Sequence, residues 1–249
     1  MNLRKQLLTK NDCYKSGRKI TPKGVMVHST GANNPNVKRY VPGDSVIGKN
    51  TNANHWDRSG LQKCVHAFIG KFANGSVGTV QTLPWDYRGW HCGKGTKGSG
   101  NDTHISFEIC EDALTDPTYF KAAYQEAVEL TAMLCKQYNL DPTKDGVVIC
   151  HSEGNKRGIA SNHGDVMHWF PKHGKSMDTF RSDVKIAMGG STSSSDKTYR
   201  VQIKSKTPIF QDTGTFVNAG VYTIVEEKNG MGKLKSGAGW IKLSDVEKL

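Results

Sequence analysis

The chain has 249 residues, 36% of them apolar, and a formal net charge of +11. This length and apolar content predict two folded units and exclude a disordered chain. The absence of an apolar run of about eighteen residues excludes a membrane-spanning helix, and the positive charge favours polyanionic partners.

The N-terminal stretch MNLRKQLLTKNDC lacks the apolar core of a secretory signal, so we expect synthesis in the cytoplasm. Short runs rich in Val, Ile and Phe then predict strands. They are GVMVH (24–28), KCVHAFIG (63–70), SVGTVQTL (76–83), HISFEIC (104–110) and GVVICH (146–151). The six cysteines form no CxxC pair, which predicts free thiols.

Two helices are expected in the same part of the chain. Asp116 followed by Pro117 predicts the start of a long amphipathic helix, and Ser176 predicts the N-cap of a second. Strands interrupted by helices predict a mixed α/β fold for residues 1–187.

The stretch MGGSTSSSDKT predicts a flexible linker at 188–198, because glycine and serine bury too little surface to order it. Residues 199–249 contain short β-type runs separated by glycine turns, which predict a small closed β-barrel. Both parts are basic: residues 1–190 carry 25 basic against 17 acidic side chains, and residues 191–249 carry 9 against 6.

Histidines end two of the predicted strands, at His28 and His151. A histidine at a strand end is a common zinc ligand, because the strand fixes the imidazole while the following loop leaves a ring nitrogen accessible. Asp165, in the loop sequence SNHGD, is a candidate third ligand. His163 and His168 compete with it for that role.

Cys150 is disfavoured as a ligand because adjacent strand residues point to opposite faces. Glu108 lies in the middle of the apolar run HISFEIC, on the face opposite Phe107 and Ile109. Such an acid is either an edge-strand charge facing water or a partly desolvated carboxylate with a raised pKa. The second interpretation makes it a candidate catalytic base.

The segments VMVHST, HAFIG, RGWHCG, ISFEIC and CHSEGNKRGIASNHGD, in this order, resemble the type-2 N-acetylmuramoyl-L-alanine amidases, which are related to peptidoglycan recognition proteins. The resemblance covers roughly residues 20–187. It implies a mixed central β-sheet flanked by helices, with zinc at one end. It also implies the ligands His28, His151 and Asp165 and the catalytic acid–base residue Glu108.

Many relatives have a lysine two residues before the third ligand, where this chain has His163. The resemblance implies that His163 stabilises the transition-state oxyanion, although a histidine loses its charge near neutral pH. The assignment of His163 as a ligand therefore stays open. The resemblance also implies that Trp90 and His91, in RGWHCG, line the substrate groove. Among the other histidines, we expect His66 in the core and His104 and His173 at the surface.

Residues 199–249 resemble bacterial SH3-type wall-binding domains through GVYTIVEE and GWIKLS. Together the two resemblances imply an endolysin of phage or prophage origin that hydrolyses the bond between N-acetylmuramic acid and L-alanine. Its partner would be the peptidoglycan of the bacterial cell wall, with teichoic acid as a further candidate. It would reach the wall through holin-type release or lysis, and we expect neither nucleic-acid binding nor membrane insertion.

Two other functions remain open on the sequence alone. A non-catalytic peptidoglycan-binding module is one, since recognition proteins of this fold can lack a zinc ligand, although all three ligand positions are filled here. A cysteine peptidase using Cys64 or Cys92 is the other, and it would not depend on metal.

Overall fold

The computed structural model describes residues 1–189, 199–209, 216–228, 230–236 and 238–249. The chain forms two compact units, Met1–Gly190 and Ser191–Leu249. The linker expected at 188–198 lies outside the described residues except for its first two positions.

The first unit is built around one mixed six-stranded sheet. Its strands are β1 (Leu3–Lys5), β2 (Gly24–Ser29), β3 (Ala67–Lys71), β4 (Val77–Gln81), β5 (His104–Ile109) and β6 (Val148–Cys150). The strand order is β1-β4-β3-β5-β2-β6, and only the β3–β4 pair is antiparallel. The mixed α/β class with a central mixed sheet is confirmed.

Four α-helices accompany this sheet. They are α1 (Asp12–Ser16), α2 (Pro117–Gln137), α3 (His151–Lys156) and α4 (Met177–Ala187). The carboxylate of Asp116 accepts two backbone N–H groups at the start of α2, and the hydroxyl of Ser176 accepts one at the start of α4. Both predicted caps are therefore confirmed.

The two faces of the sheet serve different purposes. Val25 and Val27 of β2 and Phe107 of β5 pack with the apolar side of α2, including Phe120 and Leu130, in the main core. Because side chains alternate along a strand, the neighbouring residues His28 and Glu108 lie on the opposite face. The sheet thus separates the main apolar core from the face that carries the polar site residues.

The second unit has its own small core. Its strands, among the residues described, are β7 (Tyr199–Ile203), β8 (Thr207–Pro208), β9 (Phe216–Val217), β10 (Gly220–Lys228), β11 (Met231–Leu234), β12 (Trp240–Lys242) and β13 (Glu247–Lys248). Five of them form an antiparallel sheet of order β12-β11-β10-β7-β13, and β8 pairs with β9 in a two-stranded sheet. Across the described parts of both units, no helix combines the length and apolar character needed to cross a membrane.

Candidate metal site and groove

The site lies where three neighbouring parallel strands end. In the pairing of β2 with β5, His28 lies directly beside Glu108. His151 follows the last residue of β6 and is the first residue of α3, so it begins a helix and does not close the strand as predicted. Since β5, β2 and β6 run parallel, their carboxyl ends lie at one edge of the sheet and the three side chains come together.

Asp165 completes a compact group with the two histidines. Nδ1 of His28 is 3.0 Å from Oδ2 of Asp165 and 3.1 Å from Nδ1 of His151. Nδ1 of His151 is 3.7 Å from Oδ1 of Asp165. One donor atom from each of the three residues lies within 4.8 Å of the others, which is close enough for all three to bind one metal ion.

The pKa shifts of His151 and Asp165 suit a metal site. Burial, reinforced by the neighbouring His28, lowers the pKa of His151 to about 4, so its imidazole is neutral near pH 7. Burial raises the pKa of Asp165, but its hydrogen bond and electrostatic interaction with His28 outweigh this effect, and the pKa lies below its usual value. A neutral imidazole and an ionised carboxylate are the forms that bind metal.

Glu108 lies directly beside His28 in the sheet but does not belong to the group of three. Its Oε2 atom is buried and has no hydrogen-bond partner among the described residues. Burial raises the pKa of Glu108 well above its usual value, and the charges of Asp165 and Glu111 raise it further. Of the two interpretations of this acid, the geometry favours the desolvated carboxylate over an edge-strand charge facing water.

These side chains line one cavity of about 650 Å³. Its wall continues from the group of three to the aromatic side chains of Trp56 and Trp90 and to Lys63. The Trp90 side chain is 45% exposed, and Lys63 lies with Nζ 4.9 Å from the centre of the Trp56 ring. The cavity therefore combines polar, titratable groups at its base with aromatic surface that can contact a ligand.

The competing ligand candidates lie at the edge of the group. The ring centre of His163 is 4.8 Å from that of His151, and both rings line the cavity. Nε2 of His168 is instead 2.9 Å from Oε1 of Glu111, a carboxyl group that is only 3% exposed. This contact between an exposed histidine and a buried carboxyl group was not anticipated from the sequence, because no local pattern links residues so far apart.

His91 and Trp90 both line the cavity, as the resemblance implied. His91 also makes a contact that the sequence does not reveal, since its Nδ1 is 3.0 Å from Nε2 of His28. Burial lowers the pKa of His91 well below its usual value, and the neighbouring His28 lowers it further, so the ring is neutral near pH 7.

The remaining histidines and the cysteines lie elsewhere. His66 is fully buried and its ring nitrogens contact Ser106 and the Tyr87 carbonyl, as expected for a core residue. The surface prediction for His104 is wrong: it is 5% exposed, and Nε2 lies 3.0 Å from the Gly146 carbonyl oxygen.

All six cysteines are free and buried. Burial raises the pKa of Cys64 well above its usual value and also raises that of Cys92, which argues against a thiolate nucleophile at either position. Within the part of the chain that the structure describes, no cysteine lines the cavity.

Comparison with known proteins gives consistent matches. A family model described as N-acetylmuramoyl-L-alanine amidase (Amidase_2) matches residues 17–168. The chain is 45% identical to the N-acetylmuramoyl-L-alanine amidase CwlH of Bacillus subtilis (strain 168) over 60 residues. These residues make up 24% of this chain and 23% of the relative. The chain is also 35% identical to the N-acetylmuramoyl-L-alanine amidase CwlA of a Bacillus species over 94 residues. This match covers 33% of this chain and 36% of the relative. The matched segments thus span about a quarter and a third of these two relatives.

Solved structures share the fold of the first unit. The structure of PlyL has a TM-score of 0.53 and 22% identity, covering 74% of this chain and 97% of PlyL. The Staphylococcus aureus hydrolase AmiA, solved in complex with its ligand, has a TM-score of 0.54 and 20% identity, covering 75% and 82% of the two chains. At this identity the similarity establishes the fold alone.

Proposed function

The chain belongs to the N-acetylmuramoyl-L-alanine amidase family, and from this premise we propose that it is a zinc-dependent hydrolase that cleaves the amide between N-acetylmuramic acid and L-alanine in peptidoglycan. One observation carries the proposal beyond the family match. The donor atoms of His28, His151 and Asp165 converge beside Glu108, whose Oε2 atom has no hydrogen-bond partner in the described part of the chain, in a cavity open to a ligand.

The residues fit a zinc ion by chemistry and by spacing. Two imidazoles and one carboxylate are a common protein ligand set of catalytic zinc sites, which leave a further position for water or substrate. Ligand atoms about 2.0 Å from a tetrahedral ion lie about 3.3 Å from one another. Nδ1 of His28 lies 3.0 Å from Oδ2 of Asp165 and 3.1 Å from Nδ1 of His151, both close to that value, and the other Asp165 oxygen, Oδ1, is 3.7 Å from Nδ1 of His151.

A zinc ion bound by these residues would polarise the carbonyl of the scissile amide and activate a water molecule. Glu108 accepts the proton that the attacking water loses and then donates it to the departing amine of L-alanine. Its raised pKa favours keeping the accepted proton until the second transfer. The carboxyl group therefore acts first as base and then as acid.

We assign His163 to the stabilisation of the oxyanion that develops on the oxygen of the scissile carbonyl when water attacks its carbon. The assignment is supported by its place in the cavity wall, next to His151 and outside the group of three donor atoms. A ring N–H directed at the developing negative charge would contribute as an oxyanion-hole donor does. The exposed ring of Trp90 and the Trp56 ring offer apolar surface to the sugar or the stem peptide.

For the second unit we propose binding to the cell wall by an SH3-like domain. The proposal is supported by its separate core, its five-stranded antiparallel sheet and its exposed apolar side chains, among them Phe216 and Val221. Attachment of this unit to the wall would raise the effective concentration of the hydrolase at its insoluble substrate. This endolysin proposal also includes release from the cytoplasm by a holin. It further includes an acidic wall polymer as an additional ligand.

The decisive experiment identifies the bond that is broken. Purified peptidoglycan is digested with the zinc-loaded protein, and the new chemical ends are labelled and identified. The proposal predicts new α-amino groups on L-alanine and no new reducing sugars. New amino groups on other residues would indicate a peptidase, and new reducing sugars would require a pair of catalytic carboxylates. Zinc binding without new ends would favour a binding module, so each of these three outcomes would overturn the proposal.

A further inference from the structure

His91 lies in a loop that the fold holds firmly. Its backbone N–H donates to Oδ1 of Asn101 at 2.8 Å, and Asn101 is fully buried. Trp90 and Cys64 exchange two backbone hydrogen bonds of 2.9 and 3.1 Å. A Cβ atom at Gly89 would lie 2.9 Å from the Cys64 carbonyl oxygen, so the chain passes too close there for any other residue without a shift. The loop therefore presents the His91 imidazole in a defined place.

The two ring nitrogens of His28 have different neighbours. Nδ1 faces Asp165 and His151, whereas Nε2 is 3.0 Å from Nδ1 of His91. The His28 and His91 rings meet edge to face, with centres 5.1 Å apart and planes at 73°. At this separation one of the two facing nitrogens must carry a proton and the other must accept it.

We propose that His91 is a positioning residue that fixes the tautomer of His28, so that Nδ1 of His28 is the nitrogen available to a metal ion. The inference rests on the proposed metal site. If Nδ1 of His28 binds the ion, the proton of this ring is on Nε2, and Nδ1 of His91 must accept it. A partner on the second ring nitrogen orients a histidine ligand and raises its basicity, which is why such partners contribute to metal affinity.

The same assignment determines what His91 offers to the cavity. With Nδ1 acting as the acceptor, the ring proton of His91 is on Nε2. That atom is buried, has no hydrogen-bond partner among the described residues, and belongs to a side chain that lines the cavity. It is therefore an unused N–H donor suited to an oxygen atom of a bound substrate.

A matched pair of variants tests the positioning role. In His91→Asn the amide oxygen takes approximately the place of Nδ1 and keeps the acceptor, whereas His91→Leu has a similar size and no acceptor. We expect His91→Leu to lower zinc affinity about 10–100-fold, the usual effect of losing such a partner, and His91→Asn to retain most of it. Trp90→Leu changes the same loop without touching a ligand and should keep wild-type affinity.

Zinc affinity of the full chain is measured by competition with a chromogenic chelator, with folding verified by circular dichroism. If the wild type binds no zinc, the proposed metal site fails. If the wild type binds zinc and His91→Leu binds it equally well, the metal site stands and only the inference about His91 is overturned.

A second measurement needs no substitution and decides the question even if His91→Leu fails to fold. Nitrogen-15 spectra of the histidine rings in the zinc-loaded wild type distinguish protonated from unprotonated nitrogens. The inference requires a proton on Nε2 of His28 and none on Nδ1 of His91. The reverse pattern would refute it.

Discussion

The substitution Glu108→Gln has opposite expected effects on activity and on stability. Oε2 of Glu108 is buried with no partner among the residues that the structure describes, near the charges of Asp165 and Glu111, so the ionised carboxylate is unfavourable in the folded state. Glutamine keeps the shape and removes the charge. We therefore expect the metal-free variant to be more stable than the wild type at neutral pH, while its rate falls by about 10²–10⁴-fold because a general base is lost.

The sign and size of the stability change follow from proton linkage. The pKa of Glu108 is raised in the folded state, so the protonated side chain contributes favourably to the free energy of unfolding. This contribution is fully present below the unfolded-state pKa, near 4.5, and is lost as pH rises through the folded-state pKa. Glutamine has no such loss. The advantage of the variant should thus grow from about pH 4 upward, by about 1.4 kcal/mol for each unit by which the pKa is raised.

The assay is calorimetric unfolding of the metal-free chain across this pH range. In a unit of this size, 1 kcal/mol moves the midpoint by about 2–4 °C. Glu126 provides the control, since it is buried and its Oε1 atom accepts hydrogen bonds from the Asn2 N–H and the Thr79 hydroxyl, each at 2.8 Å. Glu126→Gln should give no stabilisation. A stability difference for Glu108→Gln that is independent of pH would refute the desolvation argument, and an undiminished rate would refute the catalytic role.

Four further outcomes are expected. Zinc at about 100 times its dissociation constant should add about 2.7 kcal/mol to the first unit, a gain that calorimetry should show in the wild type and not in His151→Ala. His163→Leu should reduce the hydrolysis rate about 10²–10³-fold, the effect of removing one oxyanion donor, whereas His163→Lys should retain activity; equal rates for the two would contradict the assigned role. Asp116→Ala, which removes a carboxylate that accepts two backbone N–H groups at the start of α2, should cost about 1 kcal/mol in urea unfolding with no change in zinc content. Residues 199–249 expressed alone should sediment with purified walls, less so at high salt, and failure to sediment would remove the basis for wall attachment.

The sequence was most informative where local chemistry determines structure. The runs around His28 and Glu108 both form strands, as predicted, and Glu108 lies on the face opposite Phe107 and Ile109. The caps at Asp116 and Ser176 were predictable because a cap depends only on the next few residues. The edge strand Leu3–Lys5 was missed because its three residues are all exposed and carry no apolar alternation.

Contacts between distant segments were not predictable in the same way. His151 begins a helix because the chain turns directly after β6, and the apolar run before it gives no sign of where the strand stops. His104 is buried, and its Nε2 contacts the carbonyl oxygen of Gly146, about forty residues further along the chain. The residue type alone suggested the surface, because histidine is only intermediate in its tendency to be buried. The contact of His91 with His28 and that of His168 with Glu111 likewise depend on the assembled fold.

The position of β2 in the sheet also determines when the site can form. Val25 of β2 pairs with Ile105 of β5 and with Val148 of β6, segments that are made much later during synthesis. Such long-range parallel pairing must close large loops before it gains any stabilisation, so it comes late in folding. A growing chain that has not yet reached β6 holds β2 on one side only and lacks both His151 and Asp165. Any activity of this site therefore appears in one step, after the first unit has been completed, and a partly synthesised chain has none.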